Sequence, residues 1–290
     1  MSEPKEITNA SRNAKAESRS QTGAPRRARS STPPYNPGLQ KLVDGKQAWA
    51  VPLDEDAKAK GFLGWHQRGY LPHYDAPGVT QIVTLRLIDS LPASRRSEWE
   101  HLLRIENDRE TLSAGAPACS RLIGSNHAQS RSQTGAPTGC ERRRKLEEYL
   151  DRGLGECWLR KPAIAELTEG ALRFFDGQRY QLQAWVVMPN HVHLLVDVRD
   201  TPLAELVKSW KSFVARAANK LLGRSGEFWE REYLDTVIVD DEHRRTAVRY
   251  IENNPTKAKL MLDPKGWPWS SARFRDEFGR LNGSADVPSA

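Results

Sequence analysis

"WVVMPNHVHLLVDV", residues 185–198, is the stretch whose reading decides the fold. Its first residues continue a strand that starts at 179 ("RYQLQAWVVM"). Pro189-Asn190 is a turn signal, and "HVHLLVDV" (191–198) is the return strand of a hairpin. Side chains in a strand alternate between faces. Val192, Leu194, Val196 and Val198 therefore point one way, and His191, His193, Leu195 and Asp197 the other. The valine face suits a cover of helices, which leaves the histidine face open. Two imidazoles two residues apart can grip one cation. A hydrogen-bonded or surface pair of histidines fits the same pattern, and two protein ligands are too few without a third.

Outward from the hairpin, "VTQIVTLRLI" (79–88) alternates β-branched residues and reads as a strand. "PASRRSEWEHLLRIENDRETL" (92–112) reads as a helix with Trp99, Leu102, Leu103 and Ile105 inward, and "ERRRKLEEYL" (141–150) as another. "KPAIAELTEGALRFF" (161–175) opens a third with proline near its first position, and "PLAELVKSWKSFVARAANKLL" (202–222) is an amphipathic fourth. "YLDTVIV" (233–239) is a strand. "DEHRRTAVRYIENN" (241–254) is a helix behind Asp240 or Asp241 as N-cap. The order is strand, helices, β-hairpin, helix, strand, helix. It predicts an α+β fold, a ferredoxin-like (split βαβ, RRM-like) antiparallel sheet with helices on one face and a further C-terminal helix.

That last helix offers the missing ligand. Tyr250 and Asn254 are four residues apart, on one side of the helix, with Ala247, Val248 and Ile251 facing the core. Pro255 disfavours helix at Asn254, so the amide sits where the helix ends or kinks. A side-chain carbonyl there can complete a metal site beside Tyr250. Half-buried packing for Tyr250 and a helix C-cap for Asn254 fit each residue taken alone.

The bulk numbers set limits. The chain has 290 residues, a net charge of +7 and an apolar fraction of 38%, low for a chain packed throughout. The basic excess favours polyanion partners. It is concentrated in residues 1–35, with seven Lys/Arg against three Asp/Glu. No 18-residue apolar run is present, so no membrane span is expected, and the polar start lacks a signal-peptide core. Cys119, Cys140 and Cys157 read as reduced thiols of a cytoplasmic protein. Residues 1–38 and 113–140 are aperiodic, rich in small and polar residues, and are expected to lie outside the folded body as a tail and an insertion. They share the octapeptide "SRSQTGAP" at 18–25 and 130–137, which reads as a duplicated in-frame segment. "GWHQRGYLPHYDAPG" (64–78) is aromatic, punctuated by Gly and Pro, and reads as irregular.

"WVVMPNHVHLLV", followed by "RYIENNPTKAKL" and "WPWSSA", resembles the single-tyrosine HUH transposases, and more narrowly the REP-associated tyrosine transposases. "RGYLPHYDAPG" and "GECWLRKP" resemble the same branch, and the likeness covers roughly 64–275 apart from 113–140. It implies that His191 and His193 hold Mg²⁺ or Mn²⁺, that Asn254 stands where the third ligand stands, and that Tyr250 is the catalytic nucleophile. It further implies single-stranded or hairpin DNA as partner, with no membrane and no small-molecule substrate, and a nucleoid-associated place in the cytoplasm. This branch resembles monomers more than the dimers of the wider superfamily. In "NNPTKAKL", Lys259 stands where the resemblance predicts glycine. The division expected is a tail (1–38), a DNA-recognition segment (39–78) with Arg68, Tyr70 and His73 at the hairpin foot, a transposase-like domain (79–275) and a flexible tail (276–290). Trp185, Trp210, Trp229, Trp267 and Trp269 are candidates for base stacking, although core packing fits each one as well. Lys208, Lys211, Arg216 and Lys220 can track phosphates. A binding-only relative of such a transposase is the alternative. An RRM would carry aromatics on the sheet face where this chain has His-x-His. A structural zinc site would want cysteines at other spacings.

Overall fold

The computed structural model describes residues 53–67, 69, 71–91, 146–238 and 240–281. The expectations for 1–38, for the helix at 92–112 and for the insertion 113–140 lie outside them, as do Arg68 and Tyr70. Among the described residues, a four-stranded antiparallel sheet has the order β4-β5-β3-β6. Its strands are β3 (Thr80–Arg86), β4 (Tyr180–Val187), β5 (His191–Val198) and β6 (Leu234–Val237). Between them run α2 (Pro162–Arg173), ahead of β4, and α3 (Leu203–Leu222), ahead of β6. After β6 comes α4 (Asp241–Glu252), and then α5 (Asn254–Lys257). Strand, helix, strand, strand, helix, strand in that spatial order is the ferredoxin-like split βαβ arrangement the pattern predicts.

Alternation sorts the core into two layers. Val83, Leu85, Leu182, Trp185, Val192, Leu194, Val196 and Val198 pack with α2 and α3 in the main core. Ile82, Ala184, Val186, Met188 and Leu195 line the other face against Ala247 and Ile251 of α4. A register shift between Leu182 and Ala184 explains how Leu182 and Trp185 come to share a face. The histidine face is therefore not open. The helix predicted as an appendage closes it, because Ala247 and Ile251, both fully buried, need an apolar partner layer. Asp240 is the N-cap, its carboxylate accepting from His243 N at 2.6 Å.

Three tryptophans proposed for base stacking belong to the core. Trp185 donates to Glu169 at 2.7 Å and Trp210 to the Tyr180 hydroxyl at 3.0 Å, and Trp229 is buried beside Phe228. For Trp185 and Trp210, burying the ring while satisfying its N–H outweighs leaving it exposed. Trp267 and Trp269 are half-buried, 5.7 Å apart edge to face. The C-terminal part is ordered further than expected. Asp276 accepts from Phe278 N, Arg280 N and the Arg280 side chain, and Leu281 bridges back to Arg275.

The stretch read as irregular is a second small sheet, β1 (Gly64–Gln67) paired with β2 (Pro72–Asp75), preceded by α1 (Glu55–Ala59). Its glycines and prolines fall at the ends of four-residue strands, too short for a periodic signal. A buried charge cluster fastens it. His73 Nδ1 lies 2.6 Å from Asp235 of β6, and its Nε2 3.5 Å from Glu232. Tyr74 N and the Gln81 amide also donate to Asp235, and Tyr233 stacks on the His73 ring at 4.2 Å. Asp75 accepts from Leu203 N, the first amide of α3. His73, expected at the DNA, thus has its ring sealed inside, 1% exposed.

Two outcomes follow for stability. Burial disfavours a charged His73, but its bonds to Asp235 and Glu232 outweigh that and raise it to about 9. The charged ring is then preferred in the folded state. Its stabilisation is complete below the unfolded value of about 6.5 and is lost as pH rises through about 9. Urea titrations of wild type and His73→Gln should therefore show a stability gap at pH 6 that shrinks by on the order of 3 kcal/mol by pH 10. A gap that does not change with pH would remove the charge from the tether. Lys259 has φ +58°, the left-handed region that follows a helix and favours glycine. Lys259→Gly should raise the unfolding free energy by about 0.5–1 kcal/mol, measured in the same titrations.

Candidate active site

β5 is interior to the sheet, between β4 and β3, so His191 and His193 are buried, at 0% and 1% exposure. Their rings lie 4.7 Å apart, centroid to centroid, on the face that α4 covers. Each is held at Nδ1. His191 Nδ1 meets Asn190 Oδ1 at 2.8 Å, and His193 Nδ1 meets Thr84 Oγ1, its cross-strand neighbour on β3, at 2.8 Å. Both rings therefore turn Nε2 towards the site. Burial, and then the charge of Lys257, push His191 down to about 3, so its ring is neutral at any ordinary pH.

α4 brings the other two residues. The Tyr250 ring stands 5.5 Å from the His193 ring, tilted at 65°. Asn254 opens α5, just after the chain turns at Asn253, and is fully buried. Its amide nitrogen donates weakly to Tyr250 O at 3.4 Å, which turns Oδ1 the other way. His191 Nε2 and Asn254 Oδ1 are buried with no partner in hydrogen-bond geometry, and the buried Tyr250 hydroxyl has Glu147 and Asn254 as polar neighbours. Buried polar atoms are ordinarily satisfied, so two orphans beside a buried phenol call for a ligand or a reaction. Two imidazole nitrogens and an amide oxygen form a donor set that a divalent cation accepts. Among the described residues no group of three His, Cys, Asp or Glu forms a denser cation site.

Sequence reasoning missed the neighbours of this quartet. Glu147 and Asp151, in the helical residues 146–151, stand beside Tyr250. Burial, and then these two carboxylates, hold the phenol well above its ordinary value, while Asn254 acts the other way. Asp151 pairs with Lys257 at 2.8 Å, and the Lys257 ammonium lies 5.6 Å from the Tyr250 ring. Leu146 and Leu150 anchor the segment against Leu71, Leu91 and Leu234. The sequence predicts a helix at 141–150, but nothing in it says which of its acidic residues stands beside Tyr250. Arg86, the cross-strand partner of His191, pairs with Glu230 at 3.3 Å.

The tyrosine helix is fixed from behind by the chain that follows it. Glu252 accepts from Ser271 Oγ and from Arg275 Nε at 2.7 Å, while Trp185 N donates to Ser271 Oγ at 3.0 Å. Val187 N donates to Trp269 O, and the Trp267 indole to Val187 O. "WPWSSA" is thus a clamp between β4 and α4. The lysines expected to track phosphates stand on α3, across the sheet from the histidines. Lys208 is exposed there. Lys211 is committed to the carbonyls of Glu230 and Arg231 at 2.6 and 2.8 Å, and burial lowers it to about 8.

Residues 158–254 match the protein family described as "Transposase IS200 like". No curated protein matches the chain. A solved structure titled "Structure of the REP associates tyrosine transposase bound to a REP hairpin" aligns at 16% identity, with a TM-score of 0.40, over 78% of this chain and 96% of that one. No helix among the described residues is long and apolar enough to cross a membrane. The resemblance read from the histidine pair and the tyrosine helix is borne out by that match: residues 158–254, the span that holds His191, His193, Tyr250 and Asn254, are similar to the IS200-like transposases.

Proposed function

We propose that this chain cuts and rejoins single-stranded DNA through a covalent bond to Tyr250, with His191, His193 and Asn254 holding Mg²⁺ or Mn²⁺. The observation that carries the reading is the meeting, on one sheet face, of two buried imidazoles, an amide oxygen and a buried phenol. Such a cation, once bound, supplies a Lewis acid for a phosphate oxygen and a positive charge beside the phenol. The Tyr250 oxygen bonds phosphorus as the bond to the 3′ oxygen breaks. The phenol loses its proton and the departing 3′ oxygen gains one. The product is a 5′-phosphotyrosine and a free 3′-hydroxyl, and because bond energy is kept, the strand can be rejoined without ATP. Hairpin DNA of the REP type is the substrate we assign, on the sequence resemblance around β1 and β2. Trp65, 41% exposed and 5.2 Å from the Tyr74 ring, gives that small sheet an aromatic surface suited to a base.

The resting arrangement holds cleavage back. Burial, and then Glu147 and Asp151, keep the phenol protonated, and the two carboxylates repel an incoming phosphodiester. Entry of DNA then requires the Asp151–Lys257 pair to open, which frees Lys257 for the phosphate.

Incubating the full chain with hairpin single-stranded DNA and Mn²⁺ should give an adduct that survives denaturation. Mass spectrometry should place the nucleotide on the tryptic peptide 250–257. Tyr250→Phe keeps the ring and loses only the hydroxyl, so it should bind DNA and form no adduct. His191→Ala with His193→Ala should also bind and not cleave, since backbone charge dominates affinity. DNA binding without any wild-type adduct would leave the binding-only relative, and cleavage without an adduct would mean a water nucleophile. Asp151→Asn removes one repelling charge. It should speed cleavage about five-fold at low salt, with the gain fading as salt screens it; a rate that does not change, or falls, would reject the acidic closure.

A further inference from the structure

The turn between β4 and β5 contains a residue that neither strand needs for pairing. Asn190 is fully buried, in the turn closed by Met188 N donating to His191 O at 2.8 Å. Its backbone carbonyl accepts from Leu87 N at 2.9 Å, so the main chain is pinned from the side of β3. Its side-chain nitrogen donates to Leu154 O at 3.0 Å, and its side-chain oxygen faces His191 Nδ1 at 2.8 Å.

These two contacts leave no freedom of assignment. Leu154 O is a carbonyl and can only accept, so the NH₂ end of the amide must face it. The oxygen end must then face His191. An amide oxygen can only accept, so His191 must carry its proton on Nδ1 and its lone pair on Nε2. Thr84 has no such power over His193, because a hydroxyl donates or accepts as required. The two histidines are therefore not equivalent. One tautomer is imposed; the other adapts.

The carbonyl that imposes it is itself built into place. Gly155, beside Leu154, has φ +87°, and a Cβ there would fall 2.5 Å from Asp89 O. Glu156 N donates to Asp89 Oδ2 at 2.8 Å, and Cys157, itself left-handed at φ +52°, bonds through its thiol to Gly153 O at 3.1 Å. The loop 153–157 comes from outside the hairpin and is held against the end of β3. Among the described contacts, the one from Leu154 O to Asn190 links it to the site.

We infer that Asn190 is a positioning residue that locks His191 in the Nδ1–H tautomer, so that Nε2 is presented to a divalent cation before any cation arrives, with the loop 153–157 holding Asn190 in turn. The inference rests on the cation reading of the site given above. A ligating histidine oriented in this way loses no free energy to a tautomer change or ring flip on binding. Losing such a partner costs about 10–100-fold in metal affinity.

The test reads tautomer and metal separately. Imidazole ¹⁵N spectra of the metal-free full chain should show His191 with Nδ1 protonated. Asn190→Ala should show a mixture or the Nε2–H form. Asn190→Asp keeps an acceptor towards His191, though it sets a carboxylate oxygen against Leu154 O in place of the NH₂ donor, and should restore Nδ1–H. Mn²⁺ titration followed by electron paramagnetic resonance should find Asn190→Ala weaker by about 10–100-fold and Asn190→Asp much nearer to wild type. Circular dichroism checks that the variants fold; should the alanine variant fail, the wild-type spectrum and the aspartate variant still decide. A wild-type His191 protonated at Nε2 overturns the inference. So does Asn190→Ala with unchanged tautomer and unchanged Mn²⁺ affinity. If wild type binds no Mn²⁺, or His191→Ala with His193→Ala binds it as well as wild type does, the cation reading falls, and the ¹⁵N spectra still decide what Asn190 does to His191.

Discussion

The whole site depends on β5 being an interior strand with both faces covered. Valines fill one face and pack against α2 and α3, and that face alone would stabilise the sheet. The opposite face then has to be buried as well, and it carries two imidazoles. A buried imidazole cannot keep a charge cheaply, and it cannot leave its nitrogens unpaired without loss. The rest follows from meeting those demands. One nitrogen of each ring is satisfied within the sheet, by Asn190 or by Thr84, and the other is kept for the site. Function sits where the fold would otherwise place another pair of valines.

Closing that face takes a helix, and the helix brings the chemistry with it. α4 buries Ala247 and Ile251, and the step from Ala247 to Tyr250 carries the phenol to the rim of the same layer. The clamp around Glu252 sets the height of the helix above the sheet. Its geometry is that of a buried ion pair, Glu252 with Arg275, reinforced by Ser271. Breaking one partner of such a pair would strand the other charge and cost about 3–5 kcal/mol. The distance between the Tyr250 ring and the His193 ring therefore depends on residues 267–275, which touch neither.

How much of this was legible from the sequence follows from length and period. β5 was read to the residue because eight alternating positions leave only one register. Tyr250 and Asn254 were placed together because four residues make one helical turn and Pro255 marks its end. β1 and β2 were read as loop, since four-residue strands of His, Tyr, Trp and Pro have no alternation to detect. The tryptophans could not be sorted into core and surface, because a ring that stacks on a base and a ring that fills a core look alike in one dimension. Only the partners tell them apart, Glu169 for Trp185 and Tyr180 for Trp210. Asn190 was read as turn chemistry, which it is; that its side chain also decides a tautomer needed Leu154, a residue 36 positions away.

The charge of the chain and the charge of the site pull in different directions. The molecule as a whole is basic and draws in a polyanion. Immediately around Tyr250 the balance is reversed by Glu147 and Asp151, with Lys257 tied to one of them. A phenol in that setting is a poor nucleophile, and it stays so until something positive arrives or the acidic pair withdraws. On the proposed function, long-range attraction would govern whether DNA is bound, and short-range repulsion whether it is cut. Separating the two would let a basic protein meet many phosphates while reserving the proposed covalent step for DNA that displaces 146–151. Among the described residues, Leu146, Leu150 and Tyr149 pack the segment that would have to move, and the half-exposed Asp151–Lys257 ion pair ties it to α5.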